Sequence, residues 1–456
     1  MGVRLLRQVH LPWLHQPKSD SNPTGSLPRL QLMPDIVDTS DTAAALYFDL
    51  QLRHQIGVRR LSSGIIKEML KTLGEADRQL TSRLRDRLPI IAGGNTFKGI
   101  DFEAARLRSL LESVQNQRAR LWAALEGDVQ PDLEELVAHE VDFEQRILLE
   151  ALPVRITLES VPIQKVRAAT FAQPFGGGQG AARTLKKWFS DLSAVDQQRI
   201  TSVVQQGVIQ SKTIDQTVRD VVGTRAGGFN DGVLAISRRN AEAVVRTGIN
   251  HISNVARESV WEANSKVISA LRWTATLDGR TSAICRGRDG AATPVGDNPL
   301  PAGARRLSPP GARPPAHPNC RSLMIAILYG QGIADLMVDR PFVRDSRTRK
   351  FREKDFRAEA REALGSERWK SMSRPQRNVA IRARKVEWAE RVTGRVPAST
   401  TYDEWLRRQP TEFQDEVLGL KKAKVFREGL HLDRFIDQTG RELTLKQLKS
   451  LGVTGL

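Results

Sequence analysis

Two cysteines and one histidine in a proline-rich loop are the residues with the clearest capacity for chemistry in this 456-residue chain. Cys285, His317 and Cys320 lie between an apolar run at 271–277 and a second one at 323–328. Thiolates and imidazole are the ligands that zinc prefers, and the His-Pro-Asn-Cys order can place two of them on one side of a turn. The sequence therefore predicts a loop held by these three side chains, with or without a metal ion.

Two interpretations of the three side chains remain open from the residues alone. Structural zinc sites usually have four ligands, so a zinc site here needs a further one from Asp278, Asp289 or water. The metal-free alternative is a buried cysteine pair with a hydrogen-bonded histidine. A disulfide between Cys285 and Cys320 is disfavoured, because we expect the protein to assemble in a reducing cytoplasm.

The turn-forming residues of the loop predict how the three side chains are positioned. Asp278-Gly279 and Asp289-Gly290 predict tight turns, because glycine tolerates the positive φ that such turns need. Proline-containing steps that disfavour helix follow at Asn298-Pro299, Pro309-Pro310-Gly311 and Pro314-Pro315. The flanking apolar runs predict two strands. A connection of this length is usually functional or fixed by side-chain chemistry.

The order of these residues resembles the phage Mu F-like head morphogenesis family. The shared pattern is an LDGRTS segment, a cysteine, an Asp-Gly pair and a PPAHPNCR segment, preceded by Arg246-Thr247 on a predicted helix. The residues that carry it are Trp273, Thr276, Leu277, Asp278, Arg280, Thr281, Ser282, Cys285, Asp289, Gly290, Pro314, Pro315, His317, Asn319, Cys320 and Arg321. The resemblance covers about residues 185–328. Relatives often have a cysteine where this chain has Ser322.

The resemblance implies a non-enzymatic minor head protein of a tailed bacteriophage. Its implied partners are the portal protein and other head proteins, and its implied location is the virion head near the portal vertex, after assembly in the host cytoplasm. Arg246 and Thr247 are implied to face the loop and to help fix it. For Asp278, Arg280, Asp289 and Arg321 we expect structural roles, because charged side chains can satisfy the polar groups of a buried loop.

Two other functions remain as alternatives. A metal-dependent nuclease would need a general base and an ion with an open position, and the loop has no second histidine, since His251 lies on the preceding helix. A Cys-His nucleophilic pair would have to work within a proline-locked turn. A nonspecific DNA-binding packaging or ejection factor would use the basic charge of the chain. We expect no enzymatic activity.

The positive charge is unevenly distributed along the chain. The net charge is +18, and residues 1–170 are neutral, with 22 Lys or Arg against 22 Asp or Glu. Residues 171–330 carry 20 against 11, and residues 331–456 carry 28 against 19, an excess of +9 in each segment. Such an excess favours contact with a polyanion such as double-stranded DNA, whereas a basic solvated face is the alternative. Of the loop arginines, we expect Arg280, Arg286, Arg288, Arg305, Arg306 and Arg313 to face solvent.

The predicted fold is α+β and predominantly α-helical, in three parts after an extended N-terminal arm. The predicted boundaries are 1–40 for the proline-rich arm, 41–175 for a helical module suited to protein docking, 181–330 for the α+β head-morphogenesis domain, and 340–456 for a basic helical C-terminal module. The glycine-rich residues 176–180 predict the joint between the second and third parts. No apolar run of 18 residues occurs, so we expect no membrane span.

Apolar residues spaced three to five apart predict the individual helices. The first begins at Asp41 or Thr42 and ends at Gly93-Gly94. Separate helices follow over 102–125 and from about Pro131 to Ile147, then short strands within 152–168. Beyond the joint we expect a short helix to Leu192, a second capped by Ser193, a third from Ile214 to Val222 capped by Thr213, and a long helix over 233–271.

Overall fold

The computed structural model describes residues 39–97, 103–152, 157–176, 182–329, 338–347 and 349–456. Helices dominate these ranges and two small sheets accompany them, so the predicted α+β, mainly helical class is confirmed. The predicted N-terminal arm lies outside the described residues, except for its last two positions, which are helical. The glycine-rich joint also lies outside them from residue 177 onward.

In the ranges that the structure describes, six helices precede the first sheet. They are α1 (Thr39–Ala92), α2 (Ala104–Ala151), α3 (Ile163–Ala172), α4 (Leu185–Ile209), α5 (Ile214–Val222) and α6 (Val233–Ala263). The predicted end of α1 before Gly93 is confirmed, and α5 has the predicted bounds. Thr213 caps α5 in a capping box with Gln216, which satisfies two backbone N–H groups that the first turn leaves open.

Three predictions about this helical part are wrong. A single helix, α2, replaces two, and Pro131, which was expected to begin the second helix, lies inside it. A single helix, α4, likewise runs past Ser193 without a break. The strands expected within 152–168 do not form in the described part of that stretch, where α3 follows Pro162.

Two three-stranded sheets, counted over the described residues, flank the loop. The first has the order β3-β1-β4, all antiparallel, and consists of β1 (Ile268–Thr274), β3 (Ala292–Pro294) and β4 (Leu323–Leu328). The second has the order β2-β5-β6 and consists of β2 (Leu277–Asp278), β5 (Asp339–Val343) and β6 (Thr393–Pro397). A short helix, α7 (Ala283–Arg288), lies between β2 and β3 in the chain. The predicted strands on either side of the loop are therefore present, but α6 ends eight residues before the predicted Leu271, and β1 begins inside that range.

The C-terminal third contains two strands in addition to the predicted helices. Its helices are α8 (Arg349–Leu364), α9 (Ser366–Ser371), α10 (Arg374–Val392), α11 (Tyr402–Arg407), α12 (Thr411–Leu418), α13 (Leu420–Arg427) and α14 (Leu445–Ser450), with a 3-10 turn at Leu432–Phe435. Strands β5 and β6 pair with each other, and β5 also pairs with β2 of the loop. Short strands whose pairing partners are distant in sequence leave little local pattern, which explains the omission.

One large hydrophobic core crosses the predicted boundary between the helical module and the central domain. It joins Tyr47 of α1, Val137 of α2 and Ile249 of α6 to Trp273 and Met324 of the first sheet. A second cluster joins the far ends of α1 and α2 to α4 and α5. A third, formed by residues of the C-terminal helices, includes Leu277 of β2. The helices α1 and α2 thus pack directly on the elements that carry the loop.

A buried polar network lies where α1, α2 and α6 meet. Glu144 accepts hydrogen bonds from Tyr47, from Gln51 at 2.5 Å and from Trp261 at 2.6 Å. Arg257 donates to the Gln51 side chain at 2.7 Å. Each of these polar groups is fully buried, so their mutual contacts replace the water that they lose on folding.

Among the described residues, no helix is both long and apolar enough to cross a membrane.

Candidate functional site

The three metal-ligand candidates lie together in the core beside the first sheet. Helix α7, capped by the Ser282 hydroxyl, carries Cys285, and the Pro-Asn turn before β4 carries the other two. The Cys285 sulfur lies 3.7 Å from that of Cys320 and 3.2 Å from Nε2 of His317. Both cysteines are buried and the histidine is half-buried. Residues 32 and 35 positions apart therefore form one compact cluster.

The surroundings shift the pKa values of the three cluster residues in different directions. Burial raises the pKa of the Cys285 thiol well above its ordinary value, and the neighbouring Cys320 raises it further. Burial alone would also raise the pKa of Cys320, but hydrogen bonds from Cys285 and His317 outweigh it and lower that pKa well below its ordinary value. Burial would lower the pKa of His317, but Cys320 raises it instead. The arrangement makes Cys320 the more acidic of the two thiols and places it beside a histidine whose pKa is raised.

The donor set fits a zinc ion only in part. A thiolate, a thiol that a metal would deprotonate and an imidazole are suitable ligands. The ligand atoms of the three residues lie within 4.8 Å of one another. Ser282 contributes a hydroxyl 2.7 Å from Nε2 of His317, and Ser322 is buried next to the cluster. The described residues place no fourth cysteine, histidine or carboxylate in this group.

Asp278, one expected fourth ligand, is occupied elsewhere. Its carboxylate accepts two hydrogen bonds from the Arg321 guanidinium, one of them at 2.8 Å, and a third from the Thr281 hydroxyl at 3.1 Å. Burial would raise its pKa, but Arg321 and then Arg280 outweigh that effect and lower it. Asp278 therefore clamps the start of the loop to its end, and its carboxylate lies outside the Cys/His group.

Asp289, the other expected ligand, is the point where the loop meets the C-terminal part. Its carboxylate accepts the backbone N–H of Ala275 and that of Tyr402, each at 2.6 Å. Arg340 of β5 donates to it at 3.0 Å and is itself buried. The Tyr402 hydroxyl donates to the carbonyl of Asp278 at 2.7 Å. These donors occupy both oxygens of the Asp289 carboxylate, which lies outside the Cys/His group.

The polar face of α6 holds the return of the loop. Thr247 accepts the backbone N–H of Asn319 at 2.8 Å, and Arg246 donates to the Asn319 side chain at 3.1 Å. Asn319 has a φ of 59°, a left-handed conformation that asparagine adopts more readily than most residues. The structure thus places Arg246, Thr247 and Asn319 in contact.

Several residues that fix the loop were missed in the sequence. Asn250 donates to the carbonyls of Cys320 and Ser322, at 3.2 and 3.1 Å, and Asn254 accepts the N–H of Met324. These asparagines follow Arg246 at intervals of four, so the helical spacing was a usable signal. Arg59 of α1 donates to Thr276 and to the carbonyl of Arg321, each at 3.0 Å, and no local pattern in the sequence indicates that contact.

The arginines expected to face solvent divide into three groups. Arg286 and Arg288 are buried, so that expectation is wrong for them: Arg286 donates to the carbonyl of Val417, and Arg288 lies over the Trp273 ring at 5.3 Å. Arg313 forms an ion pair with Glu258. The exposed members of the set are Arg280, Arg305 and Arg306. Trp273 itself is fully buried.

The two Asp-Gly turns need glycine for different reasons. Gly290 has a φ of 80°, and a Cβ there would lie 2.6 Å from the Thr401 side chain. Gly279 has no positive φ, so the predicted reason is wrong at this position. A Cβ on Gly279 would instead lie 2.9 Å from the side chain of Ser346, so glycine permits the close approach of the segment that follows β5.

Comparison with known families gives a match for one part of the chain. Residues 197–325 match the family described as Phage Mu protein F like protein, which confirms the resemblance over most of the expected segment. No curated protein and no solved structure matches the chain. The match extends from α4 to β4 and therefore includes the Cys/His cluster and both aspartate turns. It shows that this part of the chain is similar to that family.

Proposed function

We propose, from the premise that residues 197–325 form a Phage Mu protein F-like domain, that the chain is a non-catalytic minor head protein. It associates with the portal of a tailed phage during assembly in the host cytoplasm, remains near the portal vertex of the virion, and contacts packaged DNA. In this role the loop is an architectural junction that holds the helical part and the C-terminal part in a fixed relation.

The observation that carries the proposal is that the aspartates of the motif bind other parts of the same chain. Asp289 binds the backbone at Ala275, just after β1, and at Tyr402 of α11, and Asp278 binds Arg321 at the far end of the loop. Arg59 adds α1 to the same junction. A catalytic carboxylate needs a free face toward substrate, whereas these two are surrounded by intramolecular donors. Their arrangement supports a scaffold.

Portal association is tested with the portal protein encoded by the same phage. The purified chain is mixed with assembled portal rings and sedimented, and procapsids made with and without the chain are compared. We expect co-sedimentation with rings at a small number of copies, and procapsids that contain both proteins. Procapsids that contain the portal but exclude the chain would contradict the proposal.

We further propose that Cys285, His317 and Cys320 hold a zinc ion, which would stabilise the closed loop. Three protein ligands and the burial of both sulfurs support this proposal. Elemental analysis of protein purified without chelators should give about one zinc per chain, and Cys320→Ser should lose it. Ser322→Cys would supply a fourth thiolate and should raise zinc affinity, because four-ligand sites are the stable structural form. A zinc content of zero in both the wild type and Ser322→Cys would refute the site.

A plasmid-cleavage assay distinguishes the nuclease alternative from the scaffold proposal. The scaffold proposal expects no cleavage with added Mg²⁺, Mn²⁺ or Zn²⁺. Divalent-ion-dependent cleavage that disappears in His317→Ala, and persists in His431→Ala at an exposed position, would establish the nuclease instead.

A further inference from the structure

Residues 344–392 form an insertion between two paired strands, here named the basic hairpin. Val343 at the end of β5 pairs with Thr393 at the start of β6, and the N–H of Arg344 donates to the carbonyl of Val392 at 2.7 Å. The chain thus leaves and re-enters the second sheet at one point. A segment with adjacent ends is an appendage that the sheet does not need for its own pairing.

The basic hairpin is held together mainly by itself. Phe356 of α8 and Trp369 of α9 are its large buried apolar side chains, and Phe356 meets Trp388 of α10 edge to face at 5.7 Å. Lys385 of α10 pairs with Glu353 of α8 at 2.5 Å. No residue of α10 is buried, so this helix packs on one side only and leaves the other open.

Nearly all the excess charge of the C-terminal third belongs to this insertion. Residues 344–392 contain 16 Lys or Arg and eight Asp or Glu, a net charge of +8 within a third whose total is +9. The compact part that follows, whose apolar core surrounds Trp405, is close to neutral. The charge is therefore concentrated on an appendage and is not spread over the whole C-terminal third.

One face of α8 presents three cations that have no acidic partner among the described residues. Lys354, Arg357 and Arg361 are exposed, and none of them takes part in an ion pair within the described part of the chain. Intervals of three and four residues place them on one side of the helix, over about 10 Å of its axis. Ala358, which follows Arg357, is exposed as well and has a small uncharged side chain. The outer side of α10 differs, because exposed Val379 and Val386 accompany Arg382 there.

We propose that the α8 face of the basic hairpin binds the phosphate backbone of duplex DNA, without sequence preference. Each strand of a duplex carries one phosphate for every 3.4 Å or so of axis, so three cations over about 10 Å can each neutralise one. When an arginine or lysine without an acidic partner binds a phosphate, it releases a counterion from the duplex, and this release favours binding. A cation that is already paired with a carboxylate does not gain binding free energy in this way. This inference rests on the DNA contact of the proposed function and names the element that makes it.

The test measures binding of the full-length chain to a duplex of about 30 base pairs and arbitrary sequence by fluorescence anisotropy, from about 50 to 300 mM NaCl. The variant is Lys354→Gln, Arg357→Gln and Arg361→Gln together. The matched control is Lys421→Gln, Lys446→Gln and Lys449→Gln, which removes the same charge from exposed positions outside the hairpin. Circular dichroism of each variant verifies that the fold is unchanged.

We expect the hairpin variant to bind at least about tenfold more weakly at about 100 mM NaCl. The slope of log K against log salt should fall by about 2.7, since each phosphate contact contributes about 0.9. The control should change the slope by less than about 1. A second variant, in which Asn-Gly replaces residues 345–391, should fold with β5 and β6 still paired and should lose at least as much affinity.

The possible failures are distinguishable. Equal losses in the hairpin variant and the control would overturn the inference and leave DNA contact by the whole molecule intact. If the wild type does not bind the duplex at about 50 mM NaCl, the inference and the DNA contact of the proposed function both fail, and portal association is unaffected. Unchanged duplex binding with loss of portal binding would make the hairpin a protein-docking element and would also overturn the inference.

Discussion

At the scale of single residues, His251 is a histidine that the fold keeps neutral. It is 4% exposed on α6, its ring stacks on Phe175 with 4.7 Å between centroids, and its Nε2 lies 3.1 Å from the carbonyl of Thr170. Burial lowers its pKa to about 4, and hydrogen bonds to the backbone offset only part of that effect. The charged form is therefore disfavoured in the folded protein.

This shift predicts a pH dependence of stability. Between about pH 6.5 and pH 4 the unfolded chain binds a proton at His251 that the folded chain does not, so stability falls as the pH falls through this window. The loss attributable to this group reaches about 3 kcal/mol at pH 4. Denaturant unfolding at several pH values should show the decline in the wild type and a smaller one in His251→Phe. Parallel curves for the two proteins would contradict the prediction.

Asp289 is the residue whose loss should do most to separate the loop from the C-terminal part. In Asp289→Asn an amide N–H₂ would have to face N–H donors of Ala275, Tyr402 or Arg340, which leaves buried polar groups unpaired. We expect a cost of about 3–5 kcal/mol in the free energy of unfolding. Asp297→Asn, at an exposed position in the same loop, should change it by less than about 0.5 kcal/mol. Equal stability of the two variants would show that Asp289 is not a junction.

At the scale of elements, helix ends and strands were more predictable from the sequence than contacts between elements that are far apart in the chain. Thr213 and Gly223 mark both ends of α5, and the apolar runs mark β1 and β4, because caps and strands of this kind leave local signals. The position of Arg59 against the loop and the pairing of β2 with β5 depend on residues far apart in sequence. The Cys/His cluster was predictable because prolines restrict the loop within it, whereas the roles of Arg340 and Tyr402 at Asp289 were not.

The contact of α6 with α1 and α2 depends on Arg257, which lies near two buried glutamates. Its side chain is fully buried, lies 3.4 Å from Glu140 and donates to Gln51, which in turn donates to Glu144. Removal of the guanidinium in Arg257→Ala takes a positive charge away from the buried Glu140 and Glu144 and leaves the Gln51 carbonyl without its donor, so we expect a loss of about 3–5 kcal/mol. Arg239→Ala, at an exposed position of the same helix, is the control and should cost less than about 0.5 kcal/mol. Thermal and denaturant unfolding measure both.

At the scale of the whole molecule, the shared core makes the N-terminal helices part of the structure that carries the loop. The predicted modules 41–175 and 181–330 would each have to cover its own apolar surface if they were independent. Instead, Val245, Ile249 and Ile252 of α6 pack in the same cluster as apolar residues of α1 and α2. Exposing that side of α6 to water would cost roughly 25 cal/mol for each Å² of apolar surface.

If the chain is divided near residue 179, we therefore expect it to fold only when both pieces are present. We expect the piece 182–456, expressed alone, to retain helical content but to bind a hydrophobic dye and to unfold without a cooperative transition. Co-expression with the piece 39–176 should restore a single cooperative transition and a stable one-to-one complex. The variant Arg257→Ala in the longer piece should weaken that complex, because Arg257 contacts both α1 and α2 across the division. A cooperative transition of 182–456 alone, unchanged by addition of the shorter piece, would show that the predicted boundary separates independent domains.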